Sequence, residues 1–315
     1  MMQVLEFRAM NTRVLLAADG LERARSGLWA ARGLIEGLEF RFSRFVGESE
    51  LSQLNASAGR WRQVSPDLMD LLQLSLGLHV ETGGLFDPAI LPDLKRLGYD
   101  RSMDELRDRG AELPAARDRA KQHVFGRLEV DRAAARVRLP PGMEIDLGGI
   151  AKGWIVQKAA DVLHSYTAAC AVSAGGDIVF KGLPIDARYW PLSIEDPLDP
   201  TRSIAALRLG PSAVATSSVV KRSWKQGERL RHHLIDPRTR ESAETDWLSV
   251  TVLAPDMALA EVYAKALLIA GGLEAPALAA QRPEISYVAV ESGGALVASG
   301  VNLEEIREQS LAIAQ

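Results

Sequence analysis

Cysteine is all but missing from this chain. Cys170 is the only one, which excludes an intrachain disulfide and any metal cage built from thiolates. It stands in the apolar run Ala168-Ala169-Cys170-Ala171-Val172, which reads as a buried strand, so a structural thiol is expected rather than a nucleophile. Positive charge is not in excess either. Against 41 Asp and Glu there are 37 Lys and Arg, a formal net charge of -4. The basic cluster of Arg229, Arg231, His232 and His233 is too short to make a nucleic-acid face. No stretch of about 18 uncharged apolar residues occurs, so no membrane span is expected. The first residues, Met1-Met2-Gln3-Val4-Leu5-Glu6-Phe7-Arg8, lack a basic segment, an apolar segment and a lipid-acceptor cysteine. A cytoplasmic location is the expectation, or a periplasmic one if a leader has been removed. Several familiar chemical signatures are also missing. There is no G-x-G-x-x-G after a strand, no G-x-x-x-x-G-K-[ST], no G-x-S-x-G elbow and no histidine pair at zincin spacing.

What is present is ordinary globular material: 315 residues, 47% hydrophobic and 25% charged, enough for one large or two medium domains. No internal repeat or low-complexity linker breaks it, so a single interwoven domain over 1–315 is expected. Residues 4–18 alternate as one or two strands interrupted at Met10-Asn11-Thr12. Apolar residues recur at helical spacing over 21–42. Residues 43–59 are polar and read as irregular. Ser65-Pro66 opens a helix to about residue 81 that stops at Gly83-Gly84. Residues 100–119 read as a charged surface excursion and 124–139 as a hairpin. A helix over 150–163 is followed by strands at 169–174, 178–181, 190–195, 203–209, 213–216, 232–235 and 248–254. A helix over 257–270 ends at Gly271-Gly272, and a last strand pair precedes a polar C-terminal helix. Helices come in runs and strands in runs, without regular β-α-β alternation, which predicts an α+β fold.

The richest segment is Ile145-Asp146-Leu147-Gly148-Gly149-Ile150-Ala151-Lys152-Gly153. It reads as a strand end, a paired-glycine turn and the first turn of a helix. Paired glycines open backbone angles closed to other residues and let a ligand approach the main chain. The helix N-terminus after them presents unpaired N–H groups and suits phosphate. Lys152 opposes the helix dipole there, which makes sense beside an anion; a tight strand-to-helix connection with a solvated lysine explains the segment equally well.

Other groupings read both ways too. Thr82-Gly83-Gly84-Leu85-Phe86-Asp87-Pro88 combines a helix stop with an Asp-Pro turn. Gly175-Gly176-Asp177 reads first as a hairpin turn. Thr216-Ser217-Ser218 ends a strand in hydroxyls that either donate to phosphate or close a turn. His232 and His233 alternate along a strand, so only one can face a site. In the late apolar helix, Glu261 and Lys265 are the only charges between Ala258 and Gly271. They lie four apart on one face, and a charge pair in apolar surroundings often marks a site.

Taken in order, these segments resemble the ApbE family of FAD:protein FMN transferases. The match runs through Met10-Asn11-Thr12, Phe42-Ser43-Arg44-Phe45, residues 49–55, 84–88 and 146–153, Gly175-Gly176-Asp177, Thr216-Ser217, residues 233–239 and Ser249-Val250-Thr251-Val252. The resemblance implies an α+β, tunnelling-fold-like arrangement of mixed or antiparallel sheets with packed helices and FAD in a cleft. It implies transfer of FMN from FAD, the donor substrate, to a Thr or Ser hydroxyl of an acceptor flavoprotein carrying an FMN-binding domain, with release of AMP. An FAD pyrophosphatase yielding FMN and AMP, or a non-catalytic FAD-binding protein of the same fold, are the alternatives.

Carried over by position, Asn55, Phe86 and Asp87 become cleft residues. Gly148, Gly149, Lys152, Gly176, Asp177, Thr216 and Ser217 become nucleotide contacts, and His233 with Asp236 the proton-handling group. The family's Mg²⁺ ligands fall on the carbonyl of Ala151 and on positions 261 and 265. Here the family's Asp is Glu261 and its Thr is Lys265, whose ammonium has donors only. Lys265 is therefore expected to place a fixed positive charge where the family places a cation. Ser173, Gln157, Asn11 and Arg240 also depart from the family pattern, standing for Asn, Asp, Gly and Gly.

Overall fold

The computed structural model describes residues 1–101, 105, 124–226 and 228–301. The predicted C-terminal helix and most of the 100–119 excursion lie outside those residues. In chain order the α-helices are α1 (Glu22–Phe42), α2 (Glu50–Ala56), α3 (Pro66–Glu81), α4 (Leu91–Arg96), α5 (Ala151–His164) and α6 (Met257–Ala279). The described residues group into two compact units. One comprises 1–36, 152–221 and the residues from 245 onward; the other comprises 37–151 and 222–244.

The first unit is built on an eight-stranded sheet whose strands lie side by side in sequence order. They are β1 (Met2–Ala9), β2 (Thr12–Asp19), β3 (Cys170–Ala174), β4 (Asp177–Lys181), β5 (Ser212–Ser218), β6 (Trp247–Ala254), β7 (Ser286–Glu291) and β8 (Leu296–Ser299). Every pairing is antiparallel, as the α+β reading predicts. Met10 and Asn11 turn β1 into β2 with φ of 52° and 54°, the left-handed pair that a two-residue hairpin requires. Alternation gives the sheet two apolar faces. On one, Ala17, Ala171, Phe180, Val214 and Val288 pack against a ribbon formed by strands Trp190–Glu195 and Ser203–Leu209. On the other lie the helices. The Cys170 thiol meets the Ala160 carbonyl of α5 at 3.8 Å, and burial pushes its pKa up to about 12, which fits the structural thiol expected from the sequence.

α6 packs on β5 and β6. It is long and apolar enough to cross a membrane, yet it is packed as a core helix, with Val262, Tyr263, Ala264, Ala266, Leu267 and Leu268 fully buried. The sequence ended this helix at Gly271. The helical run instead continues to Ala279 across a kink, where Gly271 takes φ 67° and ψ −179°. The Gly272 N–H donates to Asp246 Oδ1 at 2.9 Å, so Asp246 caps a second helical segment and makes the continuation possible.

The second unit holds α2, α3, α4 and a three-stranded sheet of Arg62–Gln63, Arg136–Arg138 and Glu129–Asp131. α3 begins as its sequence predicts, with Ser65 Oγ accepting from Leu68 N at 3.2 Å and Pro66 in the first turn. The segment read as irregular contains α2, capped by Ser49 and anchored by the fully buried Leu51 and Leu54. It is two turns long, and its polar surface hid a two-residue apolar anchor. The single strand predicted at 232–235 is instead two short strands, Arg229–His232 and Ile235–Asp236, paired with Ser223–Gln226 and Glu241–Ser242.

Gly182 offers a sharp test of the packing at the end of β4. Its φ is 59°, and a Cβ there would overlap the Ala168 carbonyl oxygen, which is main chain and has no side-chain freedom to retreat. Gly182→Ala should cost about 3 kcal/mol. Gly33→Ala, in the exposed middle of α1 with open space around it, should gain about 0.5–1 kcal/mol. Chemical denaturation of the two variants checks both signs.

Candidate active site

In the first unit, residues from four separate segments meet at the start of α5. Lys152 extends its ammonium to Asp177, with which it makes a short ion pair, and to Glu261 Oε1 at 3.1 Å. The second Glu261 oxygen accepts the Gly153 N–H at 2.7 Å. Asp177 Oδ1 accepts the Thr216 N–H at 2.9 Å, and the Thr216 and Thr251 hydroxyls are 2.9 Å apart. The side chains of Lys152, Asp177 and Glu261 are 15%, 7% and 9% exposed.

Local sequence explains each placement. Gly175 and Gly176, at φ of 63° and 95°, close the two-residue hairpin that pairs Ala174 with Asp177. Gly175 also fits because Thr12 Oγ1 would lie 2.7 Å from any Cβ there. Gly153 lets α5 approach α6: a Cβ would meet Glu261 Oε2 at 2.8 Å and Met257 O at 2.9 Å. Gln157 Oε1 accepts the Met257 N–H at 3.3 Å, tying the two helices one turn further along. The sequence paired Glu261 with Lys265 by helical spacing. The Glu261 carboxylate also contacts Lys152 and the Gly153 N–H on α5, partners that helix periodicity could not reveal. Lys265 follows Glu261 on α6 and is half-buried.

In the second unit the predicted residues hold a pair of turns. The Asn55 side chain donates to Ile145 O and accepts from Ile145 N, both at 2.9 Å, so its amide is spent on the main chain entering the glycine turn. Asp146 N donates to Pro88 O at 2.8 Å, which ties that turn to the Phe86-Asp87-Pro88 turn. Asp146 Oδ1 accepts Gly148 N at 3.0 Å, and Arg44 lies 3.6 Å from its other oxygen. Gly148 therefore serves close approach, with the Asp146 carboxylate 3.2 Å from where its Cβ would stand, and takes no left-handed φ. Its N–H is used inside the turn. Gly149 follows it half-buried, and Ala151 starts α5, itself buried.

Phe86 is buried, its N–H donating to Thr82 Oγ1 at 3.1 Å and its carbonyl 2.7 Å from His79 Nδ1. Asp87 caps the next turn through Ala89 N at 2.8 Å. Burial raises the Asp87 pKa against the lowering effects of that N–H and of nearby His79.

The two histidines separate clearly. His232 Nε2 lies 3.0 Å from the Ala243 carbonyl, and burial holds its pKa below the usual value. His233 follows the strand end, its N–H donating to Arg222 O at 3.3 Å. Asp236, which the resemblance put beside His233, is buried and engaged by Arg238: the main-chain N–H donates at 2.8 Å and the guanidinium at 2.9–3.2 Å. A larger, partly buried network that the sequence did not reveal lies in the same unit. Asp93 pairs with Arg96 and Arg240, and Glu241 with Arg96 and Arg231. Burial pushes the Glu241 pKa up, but the two arginines outweigh it and the net direction is down. Arg240 takes φ 61°, costly for a non-glycine residue, with its guanidinium on Asp93 at 2.9 Å.

Mg²⁺ requires oxygen donors in near-octahedral array. Here both Glu261 oxygens are bound by N–H donors, and position 265 carries an ammonium with no lone pair. Among the described residues no cluster of three His, Cys, Asp or Glu could hold a metal ion. These residues do not fit a magnesium site.

The architecture belongs to a fold already known from solved structures. The ApbE protein of Thermotoga maritima superposes with a TM-score of 0.83 at 24% identity, covering 95% of this chain and 97% of that one. The ApbE family profile matches residues 10–302, and the chain belongs to that family. Among its relatives, the FAD:protein FMN transferase of Treponema pallidum (strain Nichols) is 28% identical over 287 residues, 87% of this chain and 79% of the relative. One from Klebsiella pneumoniae (strain 342) is 28% identical over 259 residues, 80% of this chain and 78% of the relative.

Two outcomes follow from the geometry. Lys152→Met strands two buried carboxylates and should cost about 3–5 kcal/mol, read as a lowered midpoint in urea. Asp87→Asn keeps the cap to Ala89 and removes a charge that burial disfavours. Because the folded-state pKa of Asp87 is raised, the folded protein holds more protons than the unfolded chain just above the ordinary carboxylate range, and stability is lost as pH rises through it. The variant should therefore melt higher than the parent at pH 7, and the difference should vanish as pH falls below about 4.

Proposed function

We propose that this protein is an FAD:protein FMN transferase. The observation that carries the reading is the convergence of Lys152, Asp177, Thr216 and Glu261 at the N-terminus of α5, in a chain whose relatives are FAD:protein FMN transferases. In the proposed reaction, a Thr or Ser hydroxyl of an acceptor flavoprotein with an FMN-binding domain attacks the phosphorus on the FMN side of the FAD pyrophosphate. The new P–O bond forms as the bond to the AMP phosphate breaks, and AMP leaves with the bridging oxygen. His233 takes the hydroxyl proton. Of the two adjacent histidines it is the candidate, because the His232 ring is tied to Ala243. Asp236 acts at one remove, by fixing Arg238 and the turn that follows His233.

The remaining work is positioning and charge stabilisation. Gly176, Asp177, Thr216 and Ser217 form the nucleotide-binding edge, where Asp177 orients the Thr216 main chain and Thr251 orients its hydroxyl. The α5 N-terminus, entered through Gly148 and Gly149, directs its positive end toward phosphate. Asn55, Phe86 and Asp87 are the cleft residues of this reading, and their bonds to main chain hold the turns that carry them. No step is routed through a metal.

The test is incubation with FAD and an acceptor domain in magnesium-containing buffer. Covalent flavin on the acceptor with one AMP per flavin supports the transferase. Free FMN and AMP with an unlabelled acceptor would make the protein a pyrophosphatase, and intact bound FAD would make it a binder. His233→Ala should slow labelling by about 10²–10⁴-fold while leaving FAD affinity in place, measured by flavin fluorescence.

A further inference from the structure

We propose that this protein binds FAD without a divalent cation, its own lysines standing where a metal would be needed, and that Lys265 supplies the charge facing the pyrophosphate. The inference rests on the transferase reading and concerns how that site holds its substrate. Glu261 is the carboxylate best placed to ligate a metal, and both of its oxygens already receive N–H donors, from Gly153 at 2.7 Å and Lys152 at 3.1 Å. Lys152 is at the same time the counter-ion of buried Asp177. A metal entering on Glu261 would have to displace this ammonium and leave Asp177 without its cation. The lack of room is equally clear on the other side, since Gly153 is already close enough that even a Cβ would overlap Glu261 Oε2.

Charge then points to Lys265. One positive and two negative groups leave Lys152, Asp177 and Glu261 with a net charge of minus one. A pyrophosphate brought to such a cluster is repelled unless a further cation is present. Lys265 lies one helical turn from Glu261, on the same face of α6, and brings the four-residue sum to zero. A lysine can serve phosphate as a fixed point charge, and its charge is present whatever the metal content of the solution.

The experiment is titration of FAD into the full-length protein in magnesium chloride and in EDTA, followed by calorimetry or flavin fluorescence. The dissociation constants should agree within about twofold. Lys265→Met should weaken FAD binding about tenfold or more in both buffers while leaving riboflavin, which has no phosphate, bound as before. Lys265→Arg keeps the charge and should keep FAD affinity. A dissociation constant at least about tenfold tighter in magnesium, or a Lys265→Met protein that loses FAD and riboflavin equally or loses neither, overturns the proposal. If Lys265→Met does not fold, the two-buffer comparison on the unaltered protein still decides. Failure of FAD to bind in either buffer overturns the transferase reading as well, whereas binding only with magnesium overturns this inference alone.

Discussion

The ammonium of Lys152, held between Asp177 and Glu261, is the contact on which the start of α5 in the first unit depends. Each of the three charges would be expensive to bury alone, and each is tolerable because the others are present. The cluster also fixes geometry. Asp177 can reach Lys152 only if the Gly175-Gly176 hairpin keeps its register, and Glu261 can reach it only if α5 and α6 touch at Gly153. A register slip of one residue in β4 would turn the Asp177 side chain to the opposite face of the sheet. The close approach of the helices, the two-residue turn and the ion cluster therefore stand or fall together.

The second unit solves the same problem by different chemistry. Its turns are held by side chains bonded to main chain: Asn55 on Ile145, Asp146 on Gly148, Thr82 on Phe86 and Asp87 on Ala89. Such bonds are directional and satisfy backbone groups that a turn leaves unpaired. Where this unit does bury charge, it uses arginine, and the planar guanidinium lets Arg96 serve Asp93 and Glu241 at once. The left-handed backbone of Arg240 is the cost of aiming its side chain at Asp93. A glycine would relax that backbone and remove the ion pair.

Much of this was legible in the sequence, for reasons that differ by element. The strands β1 and β2 showed in alternation broken at Met10-Asn11-Thr12, α3 in its Ser65-Pro66 start, and α6 in being apolar on nearly every face. These signals are local. The failures were of two kinds. α2 is too short for periodicity to register, and the continuation of α6 past Gly271 depends on a cap from Asp246, outside the helix altogether. The site followed the same division. Glu261 stood out as a charge in an apolar helix, but its contact with Lys152 did not, because spacing along one helix says nothing of a partner on another. The Asp93–Arg96–Arg240–Glu241–Arg231 network gave no warning, since arginines and carboxylates on polar segments read as solvated.

A residue type suited to touching a ligand is equally suited to holding another residue in place. Asn55 and Gly148 both belong to motifs that suggest contact, and both make hydrogen bonds within the protein. Asp236 is committed to Arg238 in the same way. By contrast, Thr216 has its N–H fixed by Asp177 and its hydroxyl by Thr251, yet the residue remains exposed. A group anchored from behind and open in front loses little further freedom when it binds, and such preorganisation turns a hydrogen bond into affinity. At the end of β5 it is Asp177 and Thr251 that hold one exposed threonine in this state.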